Sequence, residues 1–370
     1  MPLPLTPLVE TLPSSVPFVG PEALERRTGI MFRARIGANE SVFGPSPKVI
    51  AAIGKAAGDV WQYCDPEHHD LKRALAVHLG VKPENVMVGE GIDGLFGYAV
   101  RLFVEPGVTV ATSLGAYPTF NFHVKGFGGR LVTAPYVNDR EDPASLLDLA
   151  RREHARLIFF ANPDNPMGSH WPADALSDFI ANLPVGSLLM LDEAYGEFAA
   201  PGTLPPLDVS NPRVLRFRTF SKAYGMAGLR LGYAIGHSDL IAAFDKIRNH
   251  FGVTRIGQAA GLAALADRDH LHEVVRKVVA ARDTIAAIAR ANGLEPLPSA
   301  TNFVTIDCGR DGAYAKRILD TLVARGVFVR MPGVAPLNRC IRVTAGTEED
   351  LKILAEELPR SLRLAGEKGL

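Results

Sequence analysis

The chain is predicted to have an α/β fold: a three-layer domain built on a mainly parallel central sheet, with a smaller α+β domain attached. Three observations carry this. Several short runs, such as residues 157–161 and 188–191, are almost continuously apolar, as strands buried on both faces must be. Helical patterns separate these runs, the order expected of a layered parallel sheet. Polar motifs follow the ends of the runs one after another, and open α/β sheets bind ligands beyond the carboxyl ends of their strands.

The elements follow in order. Residues 1–46 form an irregular N-terminal arm, with a short helix over 21–27, that contributes to the small domain. The stretch 37–47 is dense in turn formers, and Pro47 starts a helix. Strands are expected at 86–88, 109–111, 130–133, 157–161, 188–191, 214–217 and 231–235. These place a large domain over 47–250. A helix-rich, Ala-rich segment over 239–292 reads as a long linking helix. Strands at 303–306, 327–330 and 340–344 and helices at 313–325 and 348–358 complete a C-terminal unit over 251–370. Pro359 is expected to end or kink the last helix.

The bulk numbers exclude several classes of function. With 370 residues there is material for two packed units. Forty basic residues balance forty acidic ones, which argues against a nucleic-acid partner. Three cysteines, odd in number and widely spaced, fit a reducing cytoplasm rather than a disulfide framework. The N-terminus lacks the basic start and apolar core of a signal peptide, and no apolar run reaches the ~18 residues that span a bilayer. The expectation is a cytoplasmic protein without a membrane partner. Cys64, His68 and His69 lack the spacing of a tetrahedral metal set, so no metal is expected.

The richest stretch runs from Thr219 to Tyr233. Lys222 sits just past a strand-like run, among three glycines, two hydroxyls and Arg230. Burial beside a cation lowers an amine's pKa from about 10.4 and frees it as a nucleophile toward a carbonyl carbon. Thr219, Ser221 and Arg230 are the residue types that hold a dianionic phosphate. Other strand ends carry Gly91-Ile92-Asp93-Gly94, Thr112 to Pro118, Asn162 to Gly168 and Asp192-Glu193-Ala194-Tyr195. Each has a plain structural reading. Asp192 could cap a helix, Asn165-Pro166 could be a turn, Tyr117 and Tyr63 could be core aromatics, and Arg230 and Arg342 could be surface charges. None of those readings explains their common order.

From about residue 35 to 347 the chain resembles the fold-type I pyridoxal-phosphate enzymes, and among them the histidinol-phosphate aminotransferase branch. The resemblance rests on Asn39-Glu40 through Pro47, Asn165-Pro166-Met167-Gly168, Asp192 to Tyr195, Ser221-Lys222 through Arg230, and Arg342 to Thr347. It implies that Lys222 bonds the aldehyde of pyridoxal 5'-phosphate and moves the proton, while Asp192 pairs with the pyridine nitrogen. Asn165 and Tyr195 would bond the ring's 3'-oxygen, and Tyr117 would stack on its face. Arg230, Ser221, Thr219 and the backbone N–H groups of Ile92 and Asp93 would hold the phosphate. Tyr63 would reach the phosphate of a neighbouring subunit, making the enzyme a homodimer with its site at the interface. Arg342 would bind the substrate carboxylate as a fork, with Asn39 and Arg330 as further substrate contacts.

The sequence departs from the branch's pattern at three places. Gly94 stands where a carboxylate is usual, Gln62 precedes Tyr63 where Arg is usual, and Met167 replaces Thr. The resemblance implies ping-pong amino transfer from histidinol phosphate or an L-amino acid, including an aromatic one, to a 2-oxo acid such as 2-oxoglutarate. A decarboxylase of a phosphorylated amino acid and a non-catalytic cofactor-binding regulator stay open.

Overall fold

The computed structural model describes residues 3–14 and 18–367. Among these residues twelve strands run in chain order: β1 (Ala34–Arg35), β2 (Val86–Gly89), β3 (Thr109–Ser113), β4 (Arg130–Ala134), β5 (Leu157–Ala161), β6 (Leu188–Asp192), β7 (Val214–Thr219), β8 (Gly232–Gly236), β9 (Glu295–Pro296), β10 (Phe303–Asp307), β11 (Val327–Phe328) and β12 (Cys340–Thr344). Seven form the central sheet, in the order β2-β8-β7-β6-β5-β3-β4. Only β8 runs against its neighbours, β2 and β7. The sheet is therefore mainly parallel, as its apolar runs predict.

Strand parity shows why the runs lack polar alternation. Leu157 and Phe159 of β5, with Leu188 and Met190 of β6, join one core. Ile158, Phe160, Leu189 and Leu191 join a second core on the other face. Helices cover both sides, so every side chain of these strands is buried. On the first face a cluster of aromatic rings forms beneath the helix Gly91–Phe103: Phe120 stacks on Phe159 at 4.3 Å, and Phe96 meets Phe217 edge-on at 5.0 Å. The same parity carries Asp192 and Thr219 toward the first face and sends Glu193, Arg216 and Arg218 to the second. There Arg218 Nε donates to Glu193 at 2.9 Å, and Arg216 also pairs with Glu193.

The smaller unit contains an antiparallel sheet, β12-β10-β9, and the parallel pair β1-β11. β1 and β9 are two-residue strands that periodicity cannot detect. The expected long linking helix is corrected to three helices, Ser238–Phe244, Arg255–Leu265 and Arg268–Ala291, with the last the longest. The final helix runs from Glu348 to Glu367 through Pro359, so that proline does not end it. Leu351, Leu354 and Leu358 before the proline and Ala365 after it are all buried. The turns after the proline still pack Leu362 and Ala365 against the core, which favours continuing the helix against the ~3 kcal/mol cost of an interior proline.

Among the described residues, no helix is long and apolar enough to cross a membrane. All three cysteines are free and buried, and no cluster of His, Cys, Asp or Glu among those residues could hold a metal ion.

Candidate active site

The carboxyl ends of β2, β3, β5, β6 and β7 line one edge of the central sheet, and the start of β8 lies with them. Lys222 follows β7 by three residues. Its Nζ donates to the Asn39 carbonyl at 2.9 Å and lies 5.7 Å from the Tyr195 ring centre. Burial, then the positive charge of Arg342, lowers its pKa to about 8. An amine so placed is partly unprotonated near neutral pH, which suits a nucleophile.

Asn39 organises the space around Lys222. It takes a left-handed backbone (φ 55°), a conformation asparagine tolerates better than most residues. Its Nδ2 donates to Tyr195 Oη at 2.9 Å, and its Oδ1 accepts from Thr344 Oγ1 at 3.1 Å. Asn302 Nδ2 donates to the same Asn39 carbonyl that receives Lys222. Asn39, expected as a substrate contact, thus ties Lys222, Tyr195 and β12 together.

Asp192 ends β6 and is buried, where its Oδ1 accepts from the Ala194 N–H at 2.9 Å. Burial pushes its pKa to about 7, and the like charges of Asp93 and Glu193 add to the rise. A buried carboxyl held so high calls for a cationic partner. Tyr195 packs edge-on against Phe303, and burial raises its hydroxyl to about 12.

A cup forms where β2, β7 and β8 meet. Ser221 N donates to Thr219 Oγ1 at 3.0 Å, the two hydroxyls lie 3.0 Å apart, and Arg230 Nη1 reaches Ser221 Oγ at 3.4 Å. The first N–H groups of the helix Gly91–Phe103, those of Ile92 and Asp93 among them, have no partner within the helix. Gly91 has φ 76°, and a Cβ there would lie 2.5 Å from Arg230 Nη2. A Cβ on Gly232 would lie 2.9 Å from Ile92 N. The missing side chains leave a cradle of donors open to an anion. Tyr117 lies at its rim, with its hydroxyl 3.3 Å from Asp93 Oδ2.

Two arginines stand beside Asn165 and the N-terminal arm. Arg342 Nη1 donates to Asn165 Oδ1, and Nη2 reaches the Gly37 carbonyl at 3.3 Å. Its Nε is buried without a partner. Burial lowers its pKa to about 10, and the cation of Arg330 adds to this. Arg330 is tied to Arg342 by paired backbone hydrogen bonds between the two residues. The Arg330 guanidinium donates to the Val19 carbonyl at 2.7 Å and lies over the rings of Phe18 and Phe328. Phe18 also stacks on Tyr117 at 6.1 Å, so the arm roofs this side.

Lys222, Asp192, Tyr195, Asn165, Asn39 and Arg342 therefore converge, with Thr219, Ser221, Arg230, Ile92, Asp93 and Tyr117 around the cup. Tyr63 stands apart: it is 79% exposed, and its ring packs on Phe251 at 4.7 Å. Thr344, Asn302 and Phe18 escape sequence reasoning. Thr344 lies inside a quoted motif, but nothing local marks its bond to Asn39.

The chain matches the family model described as aminotransferase class I and II over residues 35–358. It is 35% identical to a histidinol-phosphate aminotransferase of Anaeromyxobacter sp. (strain Fw109-5), over 95% of this chain and 96% of that one. It is 31% identical to the enzyme of the same name from Moorella thermoacetica, covering 88% of this chain and 84% of its relative. A crystal structure of the histidinol-phosphate aminotransferase from Sinorhizobium meliloti, in complex with pyridoxal-5'-phosphate, superposes with a TM-score of 0.95. That protein shares 57% identity, with 98% of each chain covered. The fold, the lysine-centred site and these likenesses agree: the chain belongs to the class I and II aminotransferases.

Proposed function

We propose that this aminotransferase is a cytoplasmic homodimer that uses pyridoxal 5'-phosphate to move an amino group from histidinol phosphate to 2-oxoglutarate. An L-amino acid is the alternative donor. The observation that carries the reading is the pair of adjacent arginines, Arg330 and Arg342, beside the site centred on Lys222. A dicarboxylic acceptor needs two cations at fixed separation, and a phosphorylated donor needs at least one.

The residues fit the cofactor. Asp192 is a buried carboxyl without a cationic partner, suited to a protonated pyridine nitrogen. Arg230, Ser221, Thr219 and the N–H groups of Ile92 and Asp93 suit its phosphate. Tyr117 suits its ring face, and Asn165 and Tyr195 its 3'-oxygen. When bound, pyridoxal phosphate supplies an aldehyde that carries the amino group and a ring that takes up the electrons released at the substrate Cα.

The chain does the rest. Lys222 Nζ would take the proton from the substrate Cα and deliver it to C4′, the former aldehyde carbon of the bound cofactor. The Asn39 carbonyl holds the amine in place, and the low pKa keeps it available as a base. Arg342 fixes the α-carboxylate of the acceptor as a fork, with Arg330 for the distal anion. Phe18 and Val19 close the arm over that anion and exclude water. Tyr63, exposed on the single chain, serves the phosphate of the second subunit.

The test is an absorbance spectrum before and after adding single amino donors, histidinol phosphate included. A visible band that bleaches with histidinol phosphate, and returns with 2-oxoglutarate, supports the proposal. Bleaching by another amino acid alone overturns the donor assignment. Carbon dioxide release without recovery of the aminated cofactor would point to decarboxylation.

A further inference from the structure

Behind the Asn165 loop lie two acids outside the machinery just described. The pairing of β3 with β5 covers only Val110 with Leu157 and Ala111 with Ile158. Beyond it the carboxyl of Glu141 fills the gap, accepting from Ser113 Oγ at 2.7 Å and from the Ala161 N–H at 3.2 Å. Trp171 Nε1 anchors the Glu141 backbone carbonyl at 2.7 Å. The Asp164 carboxyl lies within hydrogen-bonding reach of the Glu141 carboxyl there. Its Oδ1 accepts from Tyr136 Oη at 2.9 Å and its Oδ2 from the Met167 N–H at 3.1 Å. Both acids are 1% exposed.

Every hydrogen-bond donor to this pair is neutral: two hydroxyls and two backbone N–H groups. The cation facing it is Arg342, whose own hydrogen bonds go to Asn165 and Gly37. Two buried carboxylates in contact, with no bonded cation, cannot both ionise. Asp164 immediately precedes Asn165, and its bond to the Met167 N–H folds the turn that presents the Asn165 side chain.

We propose that Glu141 and Asp164 share one proton in the gap between β3 and β5 and present a single negative charge to Arg342. They are thereby positioning residues for Asn165 and for the carboxylate-binding arginine. Burial and the neighbouring Asp164 hold Glu141 well above the usual carboxylate range. Burial brings Asp164 to about 6, with the Tyr136, Met167 and Glu141 hydrogen bonds and the charge of Arg342 opposing the rise. At neutral pH the pair therefore holds one proton and one negative charge between its two carboxyls. The charge keeps Arg342 from being an uncompensated buried cation before substrate arrives, and tempers its grip on a carboxylate afterwards.

Infrared difference spectra of the holoenzyme and its Glu141→Gln and Asp164→Asn variants test the proton. In each variant an amide N–H replaces the shared proton and the remaining acid ionises, so each should lose the carbonyl stretch of one protonated carboxyl. Retention of that signal in both variants overturns the proposal. If a variant does not fold, neutron diffraction from wild-type crystals decides: a deuteron between the two carboxyls supports the pair, and its absence refutes it. The charge has its own readout. Each single variant keeps one negative charge, so the KM for 2-oxoglutarate should stay within about threefold of wild type, whereas the double variant should lower it on the order of tenfold with little change in kcat. A merely structural pair would raise KM in all three, and that result overturns the charge role. This kinetic arm rests on the proposed function. If no donor supports turnover, that reading fails while the infrared and neutron results still decide the shared proton.

Discussion

Replacing Gly232 with alanine should weaken cofactor binding without unfolding the chain. Gly232 starts β8 with no positive φ, so alanine carries no backbone penalty there. Its Cβ, however, would lie 2.9 Å from Ile92 N, 3.0 Å from the Gly91 carbonyl carbon and 3.1 Å from the Arg218 carbonyl oxygen. All three are backbone atoms, which cannot turn aside as a flexible side chain would. Reaching ordinary contact needs a shift of roughly half an ångström, and overpacking of this kind costs about 1–3 kcal/mol. The softest response is to push the Gly91–Ile92 segment away from β8, which moves the Ile92 N–H out of the cup. A hydrogen bond to a charged group contributes about 1.5–3 kcal/mol, so the dissociation constant for pyridoxal phosphate should rise roughly ten- to hundredfold. Titrating the apoprotein with cofactor and following intrinsic fluorescence measures it. Gly228→Ala is the control, since a Cβ there meets nothing within 4 Å. If Gly232→Ala binds within twofold of wild type, or Gly228→Ala loses as much, the account of the cup is wrong.

Other substitutions probe the remaining groups. Arg342→Lys replaces a fork by a point charge and should lower kcat/KM for 2-oxoglutarate by about 2–4 kcal/mol, or thirty- to a thousandfold, in steady-state assays. Asp192→Asn should slow the donor half-reaction by several kcal/mol, on the order of a thousandfold in stopped-flow absorbance, while the protein still takes up cofactor. Only the unprotonated Lys222 amine attacks an aldehyde, so cofactor capture should quicken as pH rises and level off above about 8. Removing the Arg342 charge, which helps lower that pKa, should move the plateau to higher pH; an unshifted profile would contradict the assignment. Tyr63→Phe should weaken cofactor binding while leaving the melting temperature of the apoprotein unchanged, because the ring and its packing on Phe251 are kept.

The parts of the fold visible in the sequence are those where a local pattern has a single physical cause. The runs later found as β5 and β6 stand out because both faces are buried, and Asp192 stands out because it breaks such a run at the ligand-binding edge. Lys222, with Ser221 and Arg230, is marked by a dense local motif. Asn39 is visible as a motif member, but its bonds to Tyr195 and Thr344 join residues 156 and 305 positions away, beyond any local pattern. The same limit hides Asn302 and Phe18. Glu141 reads as an ordinary residue just before a helix cap, and only the divergence of β3 from β5 gives its carboxyl a place. The long final helix is misread because helix propensity counts Pro359 but not the burial on both sides of it.

The roof over Arg330 is built from Phe18 and Val19, which belong to no helix or strand. The floor beneath it is β12, locked in register against β10 over five residue pairs. Mutational tolerance should therefore differ sharply across one cavity. Changes in the arm alter the shape and polarity offered to the far end of a donor without disturbing a ladder, whereas changes in β12 disturb every hydrogen bond that sets Arg342. Selection for a new distal group, on donor or acceptor alike, would find its accessible path through Phe18 and Val19, leaving the α-carboxylate end set by Arg342 as it is.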